Sequence, residues 1–206
     1  MTGPHIYLRF MRQLPGRQGS KTEHEAGLSL LLHGLCELTG RRLSQEELTA
    51  AILKNEKGKP CLPGSGLSFN ISHSHGLVCC AIASGEIGID AEMIRPSGDN
   101  LVRRVLSPSE YEQYVRAGAA SDEIFMRFWT LKESYGKYSG KGIAYHLNQT
   151  DFLLPGDPPF PEACLQVSSP LADLSFFQWL FSPGYIVSLC CSSSTPAEQI
   201  RLHILP

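Results

Sequence analysis

The chain has 206 residues, 42% of them hydrophobic and 18% charged, with a formal net charge of −2. Such a chain is long enough to bury a substantial core, as one domain or two small ones, and too apolar to be disordered. No general basic field is present to recruit nucleic acid or membrane, so any anion site has to be local.

The seven cysteines, at positions 36, 61, 79, 80, 164, 190 and 191, form no C-x-x-C pair. Two adjacent pairs fall in apolar runs, which suits reduced structural thiols in a reducing compartment and gives no zinc spacing. Met1 to Gly16 lacks an apolar stretch long enough for a signal peptide, and no run is long enough to span a bilayer. The expected location is cytoplasmic.

In chain order, Ile6 to Met11 reads as a strand ended by Pro15-Gly16. Lys21 to Leu38 reads as a helix, with Leu28, Leu31, Leu32 and Leu35 at helical spacing and Gly40 closing it. Ser44 followed by Glu47 is a capping-box pattern opening a short helix through Leu53. After the basic turn Lys54 to Pro60, two apolar runs, Leu67 to Ser72 and Leu77 to Ala83, flank Ser74-His75-Gly76 and predict a hairpin.

Ile87 to Glu92 predicts a further strand and Pro96 to Asn100 a loop. Ser107-Pro108-Ser109-Glu110 opens a helix, with a cap followed by proline in the first turn. From Ser121 a helix runs without proline, and with no glycine before Gly136, toward a stop at Gly140 and Gly142. The proline-rich segment from Leu153 to Pro161 reads as loop. Leu174 to Phe181 and Tyr185 to Cys191 form a second hairpin around Ser182-Pro183-Gly184.

Both halves thus follow the plan strand, long helix, hairpin, and Leu67-Ser68-Phe69 is echoed by Leu174-Ser175-Phe176. The expectation is an α+β fold of two similar α/β lobes, residues 1–85 and 86–206, working as one unit around a crevice.

Several stretches carry chemistry. Asp90 and Glu92, two apart on a strand, point to one side while Ile89 and Ala91 point to the other. Trp129, Glu133 and Lys137 share one face of the long helix, with Lys132 beside Glu133. Each pattern has an ordinary explanation, a solvated strand face and an i,i+4 ion pair on a surface helix. Brought together, three carboxylates repel unless a cation sits among them, and oxygen-only ligands select a hard ion such as Mg²⁺. The His73-x-His75 pair lacks the following glutamate that a cupin metal site needs.

In order, the motifs are G-K-P at Gly58, Lys59 and Pro60, then F-N-I-S-H-S at Phe69 to Ser74. G-I-D-x-E follows at Gly88 to Glu92, then W-x-x-K-E-S-x-x-K-x-x-G-K-G at Trp129 to Gly142. This series resembles the surfactin-type 4′-phosphopantetheinyl transferases from about Gly58 to Gly142. The resemblance implies two lobes related by pseudo-twofold symmetry, with coenzyme A as co-substrate in the cleft between them. It also implies transfer of the phosphopantetheine arm to a serine of an apo acyl or peptidyl carrier protein, releasing adenosine 3′,5′-bisphosphate.

By the same resemblance Asp90, Glu92 and Glu133 are metal-site acids for Mg²⁺, with Mn²⁺ as a substitute. Lys137 binds the pyrophosphate; Ser72 and His73 meet the 3′-phosphate; Gly58, Lys59 and Pro60 lie near the adenosine. On charge alone, Lys132 is a second cation for the pyrophosphate. Glu133 is the candidate base and Lys137 the second catalytic group.

The sequence departs from the pattern in its N-terminal helix, where Glu23, Glu25 and Ala26 stand in place of positive charge; Lys21 and His24 are the candidate substitutes. Arg103, Arg104 and Arg116, near Leu106 and Tyr111, read either as a carrier-docking patch or as scattered surface arginines. The expected state is a monomer with no nucleic-acid or membrane partner. Two further readings stand beside the transferase: an inactive homologue that binds coenzyme A or a carrier, and a metal-dependent nucleotide phosphohydrolase.

Overall fold

The computed structural model describes residues 3–142, 150–156 and 163–206. Alternating burial along the strands determines the layering. In the strand Leu77–Ala83 (β5), Leu77, Cys79, Ala81 and Ala83 enter one core while Val78, Cys80 and Ile82 enter another. The same alternation divides Phe177, Trp179 and Phe181 from Phe176 on Leu174–Phe181 (β8), and Val187, Leu189 and Cys191 from Ile186 and Cys190 on Tyr185–Ser192 (β9). Two sheets therefore pack face to face around a shared core, and helices cover both outer faces. The adjacent cysteine pairs straddle these cores, and all seven thiols are free.

The first sheet has the order β10-β1-β5-β4, with β1 at His5–Phe10, β4 at Ser68–Ser74 and β10 at Arg201–Leu205. The second has the order β6-β9-β8-β7, with β6 at Gly88–Met93 and β7 at Leu165–Val167. Within each, the opening strand lies antiparallel to the second strand of its hairpin, β1 to β5 and β6 to β9. A minor ladder joins β2 (Leu53–Lys54) to β3 (Pro60–Cys61).

Helix α1 spans Gly16–Thr39 and covers the first sheet. It begins five residues earlier than its leucine spacing predicts, because Pro15, extended at φ −75° and ψ 148°, acts as its N-cap and not as a break. Helix α2, Gln45–Ala51, carries the predicted capping box in full and stops short of Leu53, which joins the minor ladder instead. Helices α3 (Asp99–Val105), α4 (Pro108–Arg116) and α5 (Ser121–Ser139) cover the second sheet, and Ser107 and Glu110 complete a second capping box. Gly140, left-handed at φ 69°, closes α5.

Both predicted hairpins form. Helix α3 was not foreseen: its seven residues begin in the predicted loop, and seven residues are too few for a clear helical period. The boundary at Gly85 needs one correction. Strand β10, from the second half of the chain, pairs in parallel with β1 and completes the first sheet, so Leu202 packs against the shared core. Of the proline-rich loop, residues 157–161 lie outside the described residues.

Gly88 controls how closely α5 approaches β6. A Cβ there would stand 2.1 Å from the Ser134 carbonyl oxygen and 2.4 Å from the Tyr138 nitrogen, both backbone atoms that cannot swing away. Gly88→Ala should cost about 1–3 kcal/mol in urea unfolding, as overpacking does. Gly85→Ala, with nothing within 4 Å, should stay within about 0.5 kcal/mol.

Candidate active site

Strands β4 and β6 are edges of different sheets, yet they lie side by side. Alternate polar side chains of β4 reach the backbone of β6. Asn70 Oδ1 accepts from the Ile89 N–H at 2.9 Å, Ser72 Oγ from Ala91 at 3.2 Å and Ser74 Oγ from Met93 at 3.4 Å. The hydroxyls also donate across the seam, Ser72 to Asp90 Oδ1 at 2.9 Å and Ser74 to Glu92 Oε2 at 2.6 Å. The motif N-x-S-x-S is thus a period-two zipper that satisfies the exposed N–H groups of an edge strand.

Ile89 and Ala91 enter the shared core, so Asp90 and Glu92 face α5. Helical spacing puts Glu133 and Lys137 one turn apart on α5. Lys137 Nζ donates to Asp90 Oδ1 at 2.7 Å and to Ser72 Oγ at 2.8 Å. The Ser72 hydroxyl therefore gives one hydrogen bond and accepts two, which uses its full capacity. Burial pulls Lys137 down, but the Asp90 charge and hydrogen bond, with Cys79 and Glu133, hold its ammonium above the ordinary lysine value.

Glu133 shows the opposite strain. Burial first, then the negative charges of Asp90 and Glu92, push its carboxyl from 4.5 up to about 7 against the opposing pull of Lys137. Glu92 lies at the rim, with Oε2 also accepting from Arg95 Nη1 at 2.9 Å. Among the described residues no three His, Cys, Asp or Glu side chains are gathered as a ready metal-holding group. The donors nevertheless fit a hard divalent ion. Asp90 Oδ2 is buried without a hydrogen-bond partner, and the coupled acids around it offer only oxygen.

Beside this cluster lies a cavity of about 410 Å³ between α1, α2 and β4, with Lys137 at its α5 wall. Leu28, Pro60, Phe69 and Ile71 supply a largely apolar lining, to which His24 and His73 add imidazoles. Its Nδ1 lies 2.9 Å from Glu23 Oε2. Ser72 and His73, expected at one phosphate, are neighbours on a strand and point to opposite faces: Ser72 serves Asp90 and Lys137 while His73 faces the cavity.

The remaining predicted cations are placed otherwise. Lys59 Nζ donates to Glu86, to the Ile87 carbonyl at 2.9 Å and to the Tyr138 carbonyl at 3.2 Å. Lys57 Nζ donates to the Ser139 carbonyl at 3.0 Å. The basic turn thus docks on the C-terminal carbonyls of α5, a favourable place for cations, with Gly58 providing the left-handed bend at φ 79°. Only Pro60 of G-K-P lines the cavity.

Lys132 is a second correction. Successive helical residues diverge by 100°, so Lys132 leaves the Glu133 face and turns inward. It is 3% exposed, pairs with Glu110 at 2.8 Å and donates to the Thr150 carbonyl at 2.7 Å. Glu110 also accepts from the Phe152 N–H at 3.0 Å and completes the α4 capping box. This buried pair ties α4, α5 and the segment from Thr150 together. Glu110 was read only as part of a cap; a fully buried partner for a motif lysine leaves no periodic signal. Another unforeseen support is Gln178, which bonds Arg127, Thr130 and Ser188 beneath α5.

Leu106 is buried, Arg103 lies over the Tyr111 ring at 5.0 Å, and Arg116 pairs with Glu112 at 3.2 Å. Lys21 pairs with Glu25 at 3.8 Å on the surface, whereas His24 does reach the cavity.

Two outcomes follow. Lys132→Met should lower stability by about 3–5 kcal/mol, because it strands the Glu110 charge; adding Glu110→Gln, which keeps the cap, should recover much of the loss in urea unfolding. The second concerns pH. The folded Glu133 carboxyl, raised to about 7, holds a proton that the unfolded chain releases near 4.5. Its contribution to stability is full below the unfolded value and is lost as pH rises through the folded one. Without divalent cations the urea midpoint should fall between about pH 5 and 8, with a smaller fall in Glu133→Gln.

A family model described as the 4′-phosphopantetheinyl transferase superfamily matches residues 86–190, which include β6, α5, β8 and most of β9. The 4′-phosphopantetheinyl transferase Sfp of Bacillus subtilis is 30% identical over 149 residues, 71% of this chain and 65% of that protein. HetI of a Nostoc species, named as the same enzyme, is 44% identical over 97 residues, covering 43% of this chain and 40% of its own length. A Candida glabrata protein named L-aminoadipate-semialdehyde dehydrogenase-phosphopantetheinyl transferase is 28% identical over 181 residues, 82% of this chain and 69% of its own. The matches therefore span from under half to about two thirds of these relatives' lengths. With a match across half of its length, and with Ser72, Asp90, Glu133 and Lys137 of the motifs gathered at one seam, the chain belongs to the 4′-phosphopantetheinyl transferase superfamily.

Proposed function

We propose that this chain transfers the phosphopantetheine moiety of coenzyme A to a serine hydroxyl of an apo acyl or peptidyl carrier protein. The observation that carries the reading is Asp90, with its orphaned oxygen, facing Glu133 and Lys137, while Lys137 also lines a largely apolar cavity.

In the reaction the serine oxygen forms a bond to the β-phosphorus and the anhydride P–O bond breaks. Adenosine 3′,5′-bisphosphate leaves with the electron pair. The apolar wall of Phe69, Ile71 and Leu28 suits the adenine, and Lys137 stands where the diphosphate charge has to be met. Glu133, on the α5 face beside Lys137 and close to Asp90, is assigned the serine proton, directly or through water. Asp90 and Glu133, with Glu92 at the rim, would hold Mg²⁺ or Mn²⁺. Such an ion supplies charge neutralisation for the diphosphate.

Free thiols support a cytoplasmic setting. Among the described residues no helix is long and apolar enough to cross a membrane. The two halves, 1–85 and 86–206 apart from β10, are taken to act as one monomeric unit, since the cavity draws on both.

The test is the mass of an apo carrier protein after incubation with the chain, coenzyme A and Mg²⁺. A mass gain of one phosphopantetheine, abolished by a chelator, supports the reading. Nucleotide release without carrier points to a hydrolase, and binding without turnover to an inactive homologue. Glu133→Gln should slow transfer by about 10²-fold or more, and a near-normal rate refutes the assignment.

A further inference from the structure

Behind the cavity-lining His73 stands a further carboxylate, on α1. Glu23 of α1 places Oε2 2.9 Å from His73 Nδ1 and accepts the Gly76 N–H on Oε1 at 2.6 Å. Both carboxylate oxygens are engaged, and the side chain is 14% exposed. The turn that Glu23 grips is fixed from other sides too. The Met11 N–H donates to the Gly76 carbonyl at 2.7 Å and the Tyr185 hydroxyl to the His75 carbonyl at 2.6 Å. His75 and Gly76 both adopt left-handed backbone, at φ 49° and 91°. For a residue other than glycine this conformation costs energy and persists only where its surroundings enforce it.

A carboxylate offers only acceptors, so the proton of the contact sits on His73 Nδ1. That leaves Nε2 as the ring nitrogen for the cavity, whose polar lining His73 shares with His24 and Lys137. The N-terminal helix region places acids at 23 and 25 where positive charge is expected. One of them turns out to hold an imidazole.

We propose that Glu23 is a positioning residue: by fixing the ring orientation and tautomer of His73 it presents Nε2 to a phosphate on the nucleotide end of the substrate. The proposal rests on coenzyme A being that substrate. If Glu23 merely tied α1 to the hairpin, its loss would affect stability and leave ligand selectivity alone.

Two measurements decide it. Histidine ring ¹⁵N–¹H spectra of the ligand-free protein, assigned with His73→Ala, should show His73 protonated at Nδ1, and Glu23→Ala should lose that signature. A ring protonated only at Nε2 in the unsubstituted chain overturns the proposal. Calorimetric affinities for coenzyme A and for 3′-dephospho-coenzyme A give the second readout. In Glu23→Ala the ratio of the two affinities should fall about tenfold, the scale of one charge-assisted hydrogen bond.

His73→Ala should lower the ratio by a similar amount, and adding Glu23→Ala to it should lower it no further. Additive losses place the effect of Glu23 elsewhere and overturn the proposal. Glu23→Gln, which keeps an acceptor for the Gly76 amide, should fold normally by thermal melting and still show part of the selectivity loss; an unchanged ratio in that folded variant counts against the proposal. If the unsubstituted chain binds no coenzyme A while His73 holds the expected tautomer, the substrate reading and its phosphate contact fail, but the Glu23–His73 geometry stands.

Discussion

The burial of Asp90 at the seam between two sheet edges is the constraint on which the rest of the site depends. An isolated carboxylate there would cost several kcal/mol, and the structure offsets it with one hydroxyl from β4 and one ammonium from α5. Each partner belongs to a different element, so the ion pair holds only while both sheets and α5 are in register. The zipper from Asn70, Ser72 and Ser74 provides that register. It satisfies the edge amides of β6 through side chains, so the two sheets meet without merging into one ladder and remain face to face around a common core. Gly88 then lets α5 lie close enough for Lys137 to reach across.

The charges assembled there do not balance. Asp90, Glu92 and Glu133 face Lys137 and, at the rim, Arg95. Lys57, Lys59 and Lys132 are committed to backbone carbonyls and carboxylates elsewhere. A diphosphate entering this cluster would add negative charge to a region already pushing Glu133 toward its neutral form. Either a proton or a metal cation would have to come with it, and a divalent ion would satisfy the stranded Asp90 oxygen as well. Burial first, and the Asp90 charge second, raise the Glu133 carboxyl, and Asp90 itself keeps one oxygen without a partner.

Much of the fold was legible because its signals are local. Ser44-x-x-Glu47, Ser107-Pro108-x-Glu110, Gly40 and Gly140 each carry a boundary in a few residues, and all four act as read. The hairpins are equally local. Strand β10 was not legible, because five residues with weak alternation give no sign that they cross back to pair with β1. In the site, helical and strand phase correctly brought Asp90, Glu133 and Lys137 to one place. Phase says which way a side chain leaves its own element; it does not say what is waiting there. Lys59 meets the end of α5, and Lys132 meets a buried glutamate more than twenty residues upstream.

These placements share a geometry. Ser72 and His73 are adjacent in sequence and lie on opposite faces of β4; Lys132 and Glu133 are adjacent and lie on different faces of α5. In each pair one residue faces the cleft side of its element and the other a different environment. On β4 the buried Ser72 secures Asp90 and Lys137 while His73 is offered to the cavity. On α5 the buried Lys132 fastens the helix to α4 and to Thr150 while Glu133 is held among the acids. A contiguous motif can therefore combine a working side chain with the anchor that fixes its position. The requirement for both residue types follows from that division of labour, even where only one of them can touch a ligand.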